Sequence, residues 1–398
     1  MKYLILVGDG MGDLPLAELD GRTPLQAANT PNMDRLAREG VLGLTRTVPP
    51  GKEPGSDTAN MSLLGYDPAI YHTGRSPIEA ASMGVDLAPG EIAFRCNLVT
   101  LEHSAGKTVM DNYSAGHIDS EAAARLIETL DRELGSEGLR FYAGVSYRHL
   151  LVWKDGPLRA ATVPPHDRSG QSVDDVLSGG DGLELVAELT RASWPLLKGH
   201  PANAERLAQG MPAANSIWLW GQGTKPSFTT YQERFGLSGV AVSAVDLIKG
   251  LGVLAGLYPV EVPGATGWLD TNYEGKVAAA LAGLDQGQVA YVHVEAPDEA
   301  SHGGDLKLKM QAIEDFDRLA VGPLLKGLAQ VGPHRVLLAT DHFTPISTRT
   351  HGTQPVPYVL WDSQNPRQGQ AGFNEADAAQ GRREPEAHRL VERLVEGF

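Results

Sequence analysis

Three aspartates fall where short apolar runs end, and two of them come with histidines at metal-ligand spacing: Asp9, Asp298 with His302, and Asp341-His342 with His351. Asp298 and His302 are four residues apart, so a helical turn or tight loop could aim both at one cation. Gly8-Asp9-Gly10-Met11-Gly12-Asp13 follows a strand-like run. It lacks the third glycine of a dinucleotide fingerprint, and Asp9 would point a carboxylate at the pyrophosphate, so a hard-metal ligand fits better. Taken singly, each of these residues reads as a turn or a helix cap. Taken together, three aspartates and three histidines supply six candidate ligands of mixed oxygen and nitrogen type. That set suits two divalent cations, with Mn²⁺ first and Co²⁺, Zn²⁺ or Mg²⁺ also compatible. Two such ions about 4 Å apart can activate a nucleophile and hold both sides of an in-line phosphoryl displacement.

The nucleophile for that chemistry is Ser56, in Gly55-Ser56-Asp57-Thr58. A serine hydroxyl on a divalent cation loses its proton near neutral pH and needs no histidine base. No Gly-x-Ser-x-Gly elbow surrounds it, which argues against an ordinary esterase. Ser56, Asp57 and Thr58 are also good helix caps, and a helix N-terminus favours an incoming phosphate, so the two roles are compatible.

The elements that must position these residues are strands alternating with amphipathic helices. Apolar runs at Tyr3–Val7, Ser216–Trp220, Val240–Ser243, Gln288–Val294 and Arg335–Ala339 predict a mostly parallel α/β sheet flanked by helices. The clearest helix spans about Asp305 to Ala329, where Met310, Ile313, Phe316, Leu319 or Ala320, Leu324 and Leu328 recur at three- and four-residue steps. It follows His302 directly, which places the metal-type residues at a strand-to-helix connection, where open α/β sheets bind ligands. The stretch from about Glu91 to Asn215 is richer in charge and Gly-Pro punctuation. It carries helical patterns at Ser120–Leu134 and Asp181–Ala192 and a short strand at Leu150–Lys154. It contains none of the metal-type residues and reads as an inserted, smaller α+β domain. The expected division is a core from 1–88 and 215–398, with 89–214 inserted.

The 398 residues suffice for such a core plus insertion. Thirty-four Lys and Arg against 49 Asp and Glu leave a net charge of −15. An acidic surface excludes nucleic acid and anionic membrane as partners, while bound cations would still admit a small anionic substrate. Cys96 is the single cysteine, so no intrachain disulfide forms. The chain begins on a strand without a cleavable leader, and its longest apolar stretch, Val240–Val262, is interrupted by Asp246 and Lys249. A cytoplasmic protein is expected.

Six motifs in order along the chain, Gly8-Asp9-Gly10-Met11-Gly12-Asp13, Pro54-Gly55-Ser56-Asp57-Thr58-Ala59-Asn60, Leu64-Gly65-Tyr66-Asp67-Pro68, Gly74-Arg75-Ser76-Pro77, Asp298-Glu299-Ala300-x-His302 and Thr340-Asp341-His342-x-Thr344-Pro345, resemble those of the archaeal-type cofactor-independent phosphoglycerate mutases, within the alkaline-phosphatase-like superfamily. The resemblance implies interconversion of 3-phosphoglycerate and 2-phosphoglycerate through a phosphoserine on Ser56, without 2,3-bisphosphoglycerate. It implies one cation on Asp298, His302 and His351, and another on Asp9, Ser56, Asp341 and His342. Phe343 and Ser301 stand where relatives often carry serine and glycine.

A mutase must also hold glycerate and keep water out, which assigns the inserted domain the role of substrate lid. Candidates to grip substrate there are Arg95, Asn97, Asp111, His117, Arg148, His166 and Asp167. Arginine forks carboxylate and phosphate bidentately, and His166 or Asp167 could move protons on the glycerate hydroxyls. Lys225 and Lys249 are weaker phosphate-contact candidates. The alternative reading is a phosphatase or a phosphopentomutase-like phosphotransferase of the same superfamily acting on another small phosphate ester.

Overall fold

The strands of the computed structural model, which describes residues 1–104 and 106–398, are, in chain order, β1 (Lys2–Gly8), β2 (Val41–Thr45), β3 (Glu91–Ser104), β4 (Lys107–Asn112), β5 (Leu139–Tyr142), β6 (Arg148–Lys154), β7 (Ser216–Thr224), β8 (Gly239–Val242), β9 (Tyr258–Val260), β10 (Val289–Val294), β11 (His334–Thr340), β12 (Val356–Asp362) and β13 (Arg382–Glu384). The chain divides into two compact units, 1–72 with 227–398 and 73–226.

The first unit is built on an eight-stranded sheet in the order β13-β2-β12-β11-β1-β10-β8-β9. Five of its seven pairings are parallel, and both antiparallel ones involve β12. β1, β10 and β11 are apolar almost throughout because helices cover both faces. On one face Leu4, Leu6, Val292, Val294, Val336 and Leu338 form a core with helices Pro31–Glu39, Tyr273–Gln286 and the long helical stretch after residue 305. Each fully buried leucine or valine there contributes about 1.5–3 kcal/mol. Helix Leu390–Glu396 packs on β11, and helix Asp246–Leu254 on β8.

The register positions the site. Gly8 at the end of β1 lies opposite Val294 of β10 and Thr340 of β11. The next residues in the chain are Asp9 and Asp341, so parallel pairing delivers both carboxylates to the same sheet edge with no long loop to order. The expected helix at Asp305–Ala329 exists as three joined pieces, Leu306–Asp315, a π-helical stretch at Phe316–Val321, and Gly322–Val331. The π turn inserts one extra residue, which is why the periodicity wavers between Leu319 and Ala320; Ala320 is the buried one.

The second unit centres on β3, which pairs antiparallel with β6, β7 and β4, while β5 adds to β6. Helices Ser120–Leu134 and Glu184–Lys198 pack against each other over the core of this unit. Its limits differ from the expected 89–214. Helix Ser76–Ser82 packs on β3 and β7, and β7 pairs with β3 from Ile92↔Thr224 to Val99↔Ser216. The Ser216–Trp220 run is therefore an antiparallel strand of the second unit, not a member of the parallel sheet. An apolar run reports burial and not which strand it pairs with. No helix among the described residues is long and apolar enough to cross a membrane.

Candidate functional site

Every metal-type residue singled out in the sequence lies in the first unit. Asp298 and His302 occupy the short helix Ala296–Gly303 that follows β10, one turn apart. Asp298 is inside that helix and does not cap the next one; Asp305 does. His302 Nε2 is 3.1 Å from Asp298 Oδ2 and 3.0 Å from His351 Nε2, and His351 Nε2 is 3.6 Å from Asp298 Oδ2. The His302 Nδ1–H donates to the Arg349 carbonyl at 2.9 Å. Arg349 offers that carbonyl from a left-handed backbone conformation, φ 57. With its proton on Nδ1, His302 turns the Nε2 lone pair inward, so three electron-rich atoms converge, as a cation requires.

The second group surrounds Asp9 and Asp341, which are 1% and 0% exposed. Asp341 Oδ1 accepts the N–H of Gly10 (3.0 Å) and of His342 (2.9 Å), and its Oδ2 accepts from Asn60 Nδ2 (2.8 Å). Tyr291 donates its hydroxyl to Asn60 Oδ1 at 2.5 Å, which fixes the amide's orientation. His342 Nε2 stands 3.3 Å from Ser56 Oγ and 3.4 Å from both Asp9 Oδ1 and Asp341 Oδ2. Thr344 Oγ1 donates to Asp298 Oδ1 (2.5 Å), so toward His342 Nδ1 (3.1 Å) it accepts. His342 therefore carries its proton on Nδ1 and presents the Nε2 lone pair to Ser56 and the two aspartates.

Ser56 opens the helix Ser56–Leu63, but Gly55 is the N-cap, and the side chain that accepts a first-turn N–H is Asp57, from Thr58 at 2.9 Å. The Ser56 hydroxyl is thus not used for capping. It projects from the positive end of the helix.

Loop 9–13 and loop 341–345 are brought together by close packing. Gly10 has φ +60, and a Cβ there would lie 2.4 Å from Asp298 Oδ1. Gly12 meets Phe343, whose ring would be 2.5 Å from an added Cβ. The buried Lys309 ties both loops, donating to Asp13 Oδ2 (2.8 Å), Thr344 O (3.0 Å) and Gly12 O (3.2 Å). Ser301 Oγ donates to the Pro297 carbonyl and stays out of the site.

Electrostatics support a cation. Burial, then Asp341 and Asp298, push the Asp9 carboxyl well above the usual carboxylate range. Its Oδ1 is buried and has no hydrogen-bond partner among the described residues; the His342 Nε2 at 3.4 Å carries no proton to donate. Burial also opposes ionisation of Asp298, yet hydrogen bonds from His302 and His351 hold it well below that range. His302 is pushed up to about 9, first by its hydrogen bond to Asp298. A bound cation would replace the proton that these shifts favour. Burial lowers His342, against the pull of Asp341.

His293, inside β10, was not anticipated from the sequence. Its Nε2 is 3.0 Å from Asp9 Oδ2, its Nδ1 is 3.2 Å from Ser243 Oγ, and burial lowers its pKa to about 4. Asp9, His293 and Asp341 offer ligand atoms within 4.8 Å of one another, and so do Asp298, His342 and His351. This grouping moves His342 to Asp298, whereas its own distances also join it to Asp9, Asp341 and Ser56. It stands between the two groups.

Five of the seven candidates in the second unit come together. Arg95, 6% exposed, pairs with Glu79, donates to Asn97 Oδ1 (3.2 Å) and lies over Trp220 at 5.3 Å. Arg75, unanticipated beyond its motif, also reaches Glu79 (3.2 Å) and the Trp220 ring (5.9 Å). His166 sits edge-on to Trp220, and Tyr113 links it to His117 and Tyr147, over which Arg148 lies. Burial lowers Arg95 to about 10 against the pull of Glu79, with Arg75 and Arg148 pushing the same way. Two guanidiniums on one carboxylate, with Arg148 close enough to act on Arg95, leave a positive, aromatic-lined group suited to an anion. His117 and Ser146 hold left-handed backbones, φ 51 and 55, in the loops that carry it. Asp111 is exposed on β4, and no hydrogen bond among the described residues ties it to this group. Asp167 is exposed beside His166, 3.6 Å away. Lys225 pairs with Asp86, and Lys249 with Glu261 at 2.8 Å.

The family model for 2,3-bisphosphoglycerate-independent phosphoglycerate mutase matches residues 37–203. A probable 2,3-bisphosphoglycerate-independent phosphoglycerate mutase of Geobacter sulfurreducens is 50% identical over 398 residues, 100% of each chain. The enzyme of that name from Methanosarcina barkeri is 51% identical over 385 residues, 96% of each chain. Among solved structures, a cofactor-independent phosphoglycerate mutase from Thermoplasma acidophilum is similar at 29% identity and TM-score 0.66, covering 100% of this chain and 99% of its own. A Pyrococcus horikoshii protein is similar at 29% identity and TM-score 0.82, with 99% and 96% covered.

Proposed function

The chain belongs to the archaeal-type 2,3-bisphosphoglycerate-independent phosphoglycerate mutases, and on that footing we propose that Ser56 carries the phosphoryl group between the two hydroxyls of glycerate. The enzyme interconverts 3-phosphoglycerate and 2-phosphoglycerate, uses divalent metal and needs no 2,3-bisphosphoglycerate. Its substrate is a small anion, and the cytoplasm is its place of work.

The observation that carries the role of Ser56 is its hydroxyl, 3.3 Å from the unprotonated nitrogen of His342, at the edge of a buried group of carboxylates. Asp298, His302 and His351 would hold one cation, and Asp9, Ser56, Asp341 and His342 a second. Mn²⁺ is the first choice among Mn²⁺, Co²⁺, Zn²⁺ and Mg²⁺. The unpartnered Asp9 Oδ1 and the inward lone pairs of His302 and His342 fit that assignment. Bound there, the cations lower the hydroxyl's pKa and neutralise charge on the transferring group.

Ser56 Oγ attacks phosphorus, the bond from phosphorus to the substrate oxygen breaks, and that oxygen takes up the proton the serine gave up. Phosphoserine and glycerate result. Attack by the other glycerate hydroxyl on the phosphoserine reverses the step and completes the isomerisation. Glycerate must stay bound between the two attacks, and we assign its carboxylate to the Arg75, Arg95 and Arg148 group, with Asn97, His117 and His166 around it. A planar guanidinium fork matches a carboxylate better than lysine does.

The test is Ser56→Ala, assayed for 2-phosphoglycerate through coupled enolase and, in parallel, for free phosphate. Mutase activity should fall about 10⁴-fold or more, with circular dichroism and metal content unchanged. Turnover at the wild-type rate would sink the phosphoserine route, and phosphate release without 2-phosphoglycerate by the wild type would mark a phosphatase.

A further inference from the structure

The carboxyl ends of β11, β1, β10 and β8 lie side by side and present Asp341, Asp9, His293 and Ser243 in a row. The β10 register places His293 beside Val7 and, at Val292, beside Val242, so its neighbours across the edge are Asp9 on one side and Ser243 on the other. A chain of hydrogen bonds runs along this row. The Val245 N–H donates to Ser243 Oγ at 3.0 Å. The Asp9 carboxylate can only accept, so the His293 ring proton sits on Nε2, 3.0 Å from Asp9 Oδ2, and Nδ1 is left to accept the Ser243 O–H at 3.2 Å. Asp9 Oδ1, on the other side of the carboxylate, is buried and unpartnered.

We infer that His293 is a positioning residue that grips Asp9 Oδ2 through its Nε2–H, so that Oδ1 alone is offered to the cation and His293 is not itself a ligand. The inference rests on the proposed cation at Asp9 and Asp341, and it assigns to Ser243 and His293 a share in that ion's affinity. A carboxylate free to rotate would offer the cation either oxygen, and the site would be ordered only at the expense of binding energy. One held by a fully buried ring arrives ordered. Removing such a supporting hydrogen bond typically weakens metal binding 10–100-fold.

Metal-free wild type and the variants His293→Ala, His293→Gln, Ser243→Ala and Asp9→Asn would be titrated with Mn²⁺, following free ion by electron paramagnetic resonance and bound ion by elemental analysis. His293→Ala should weaken one class of bound Mn²⁺ by about 10–100-fold and leave the other class as in wild type, which also shows that the variant folds. Ser243→Ala should weaken the same class less. His293→Gln, whose amide N–H reaches where Nε2 does, should return affinity to within a few-fold of wild type. Unchanged binding in His293→Ala would overturn the inference. So would His293→Gln binding as poorly as His293→Ala with one coordinated imidazole nitrogen missing from the spin-echo modulation, because His293 would then be a ligand. Wild-type binding in Asp9→Asn would instead remove the underlying cation site, and the inference with it.

Discussion

Lys309→Met tests whether the two loops that carry candidate ligands are held by one buried ion pair. Lys309 and Asp13 are both 0% exposed at their side chains, with Nζ 2.8 Å from Asp13 Oδ2. Removing one partner of such a pair costs about 3–5 kcal/mol, because the other charge stays buried without compensation. Asp13 would keep the N–H groups of Leu14 (2.7 Å) and Ile346 (3.2 Å), which places the expected cost near the lower end, about 3 kcal/mol. The carbonyls of Gly12 and Thr344 also lose their shared donor. Lys309→Met with Asp13→Asn removes the orphaned charge as well, and about 2 kcal/mol should return. With two units in the chain, a single unfolding transition is not assured, so the readout is hydrogen exchange in the β1 and β11 peptides, which reports the first unit alone. A cost below about 1 kcal/mol, or a double variant no more stable than the single, would refute the reasoning. The loss should also weaken Mn²⁺ binding, since Gly10 to Asp13 and His342 to Thr344 would lose a shared anchor and keep only direct contacts such as the Thr344 N–H to the Gly12 carbonyl at 3.0 Å.

Asp317→Ala should destabilise the first unit by about 1–3 kcal/mol in the same exchange assay, because Asp317 accepts the Met33 N–H (2.7 Å) and Asn32 N–H (3.3 Å) at the start of a helix whose own N-cap, Thr30, makes no side-chain capping bond. Lys276→Met should do the reverse. Lys276 is 1% exposed, its ammonium lies 3.5 Å from the His293 carbonyl, and burial lowers its pKa to about 8 against the pull of Glu295. Its folded pKa lies below the ordinary 10.5, so the unfolded chain binds the extra proton between those values. Wild-type stability should rise through that window, with the full penalty below pH 8. Methionine should therefore add about 2 kcal/mol at pH 7 and abolish the rise, and a less stable variant at pH 7 would contradict this.

The fold was legible where burial leaves an unmixed signal. β1, β10 and β11 are covered on both faces and read as continuous apolar runs, with boundaries within a residue or two of those expected. β12 escaped notice because Pro357 sits in its interior, which normally argues against a paired strand. β2 carries Gly43, a weak strand former, where the Arg382 carbonyl would lie 1.8 Å from any Cβ. That requirement comes from a strand more than 300 residues away, so no local pattern around Gly43 could announce it. The unit limits were misjudged for the same reason, since the β7 run carries no mark of its antiparallel partner β3.

The site was legible to the extent that its residues sit at strand ends, where an acidic residue interrupts an apolar run for no reason of packing. Asp9 and Asp341 follow strands whose paired register alone makes them neighbours, and the sequence shows the interruption even though it cannot show the pairing. His293 lacks that mark because it lies inside β10, and a lone polar residue in a strand ordinarily reads as noise. Its signal was period two. Tyr291 and His293 alternate with Val292 and Val294, which belong to the apolar core on the opposite face. Two hydrogen-bonding side chains on one face of a wholly buried parallel strand must find partners there, and here those partners are Asn60 and Asp9. A buried polar alternation in the strand beside a candidate ligand loop therefore points to the residues that orient the ligands, as the ligand spacing itself points to the metal.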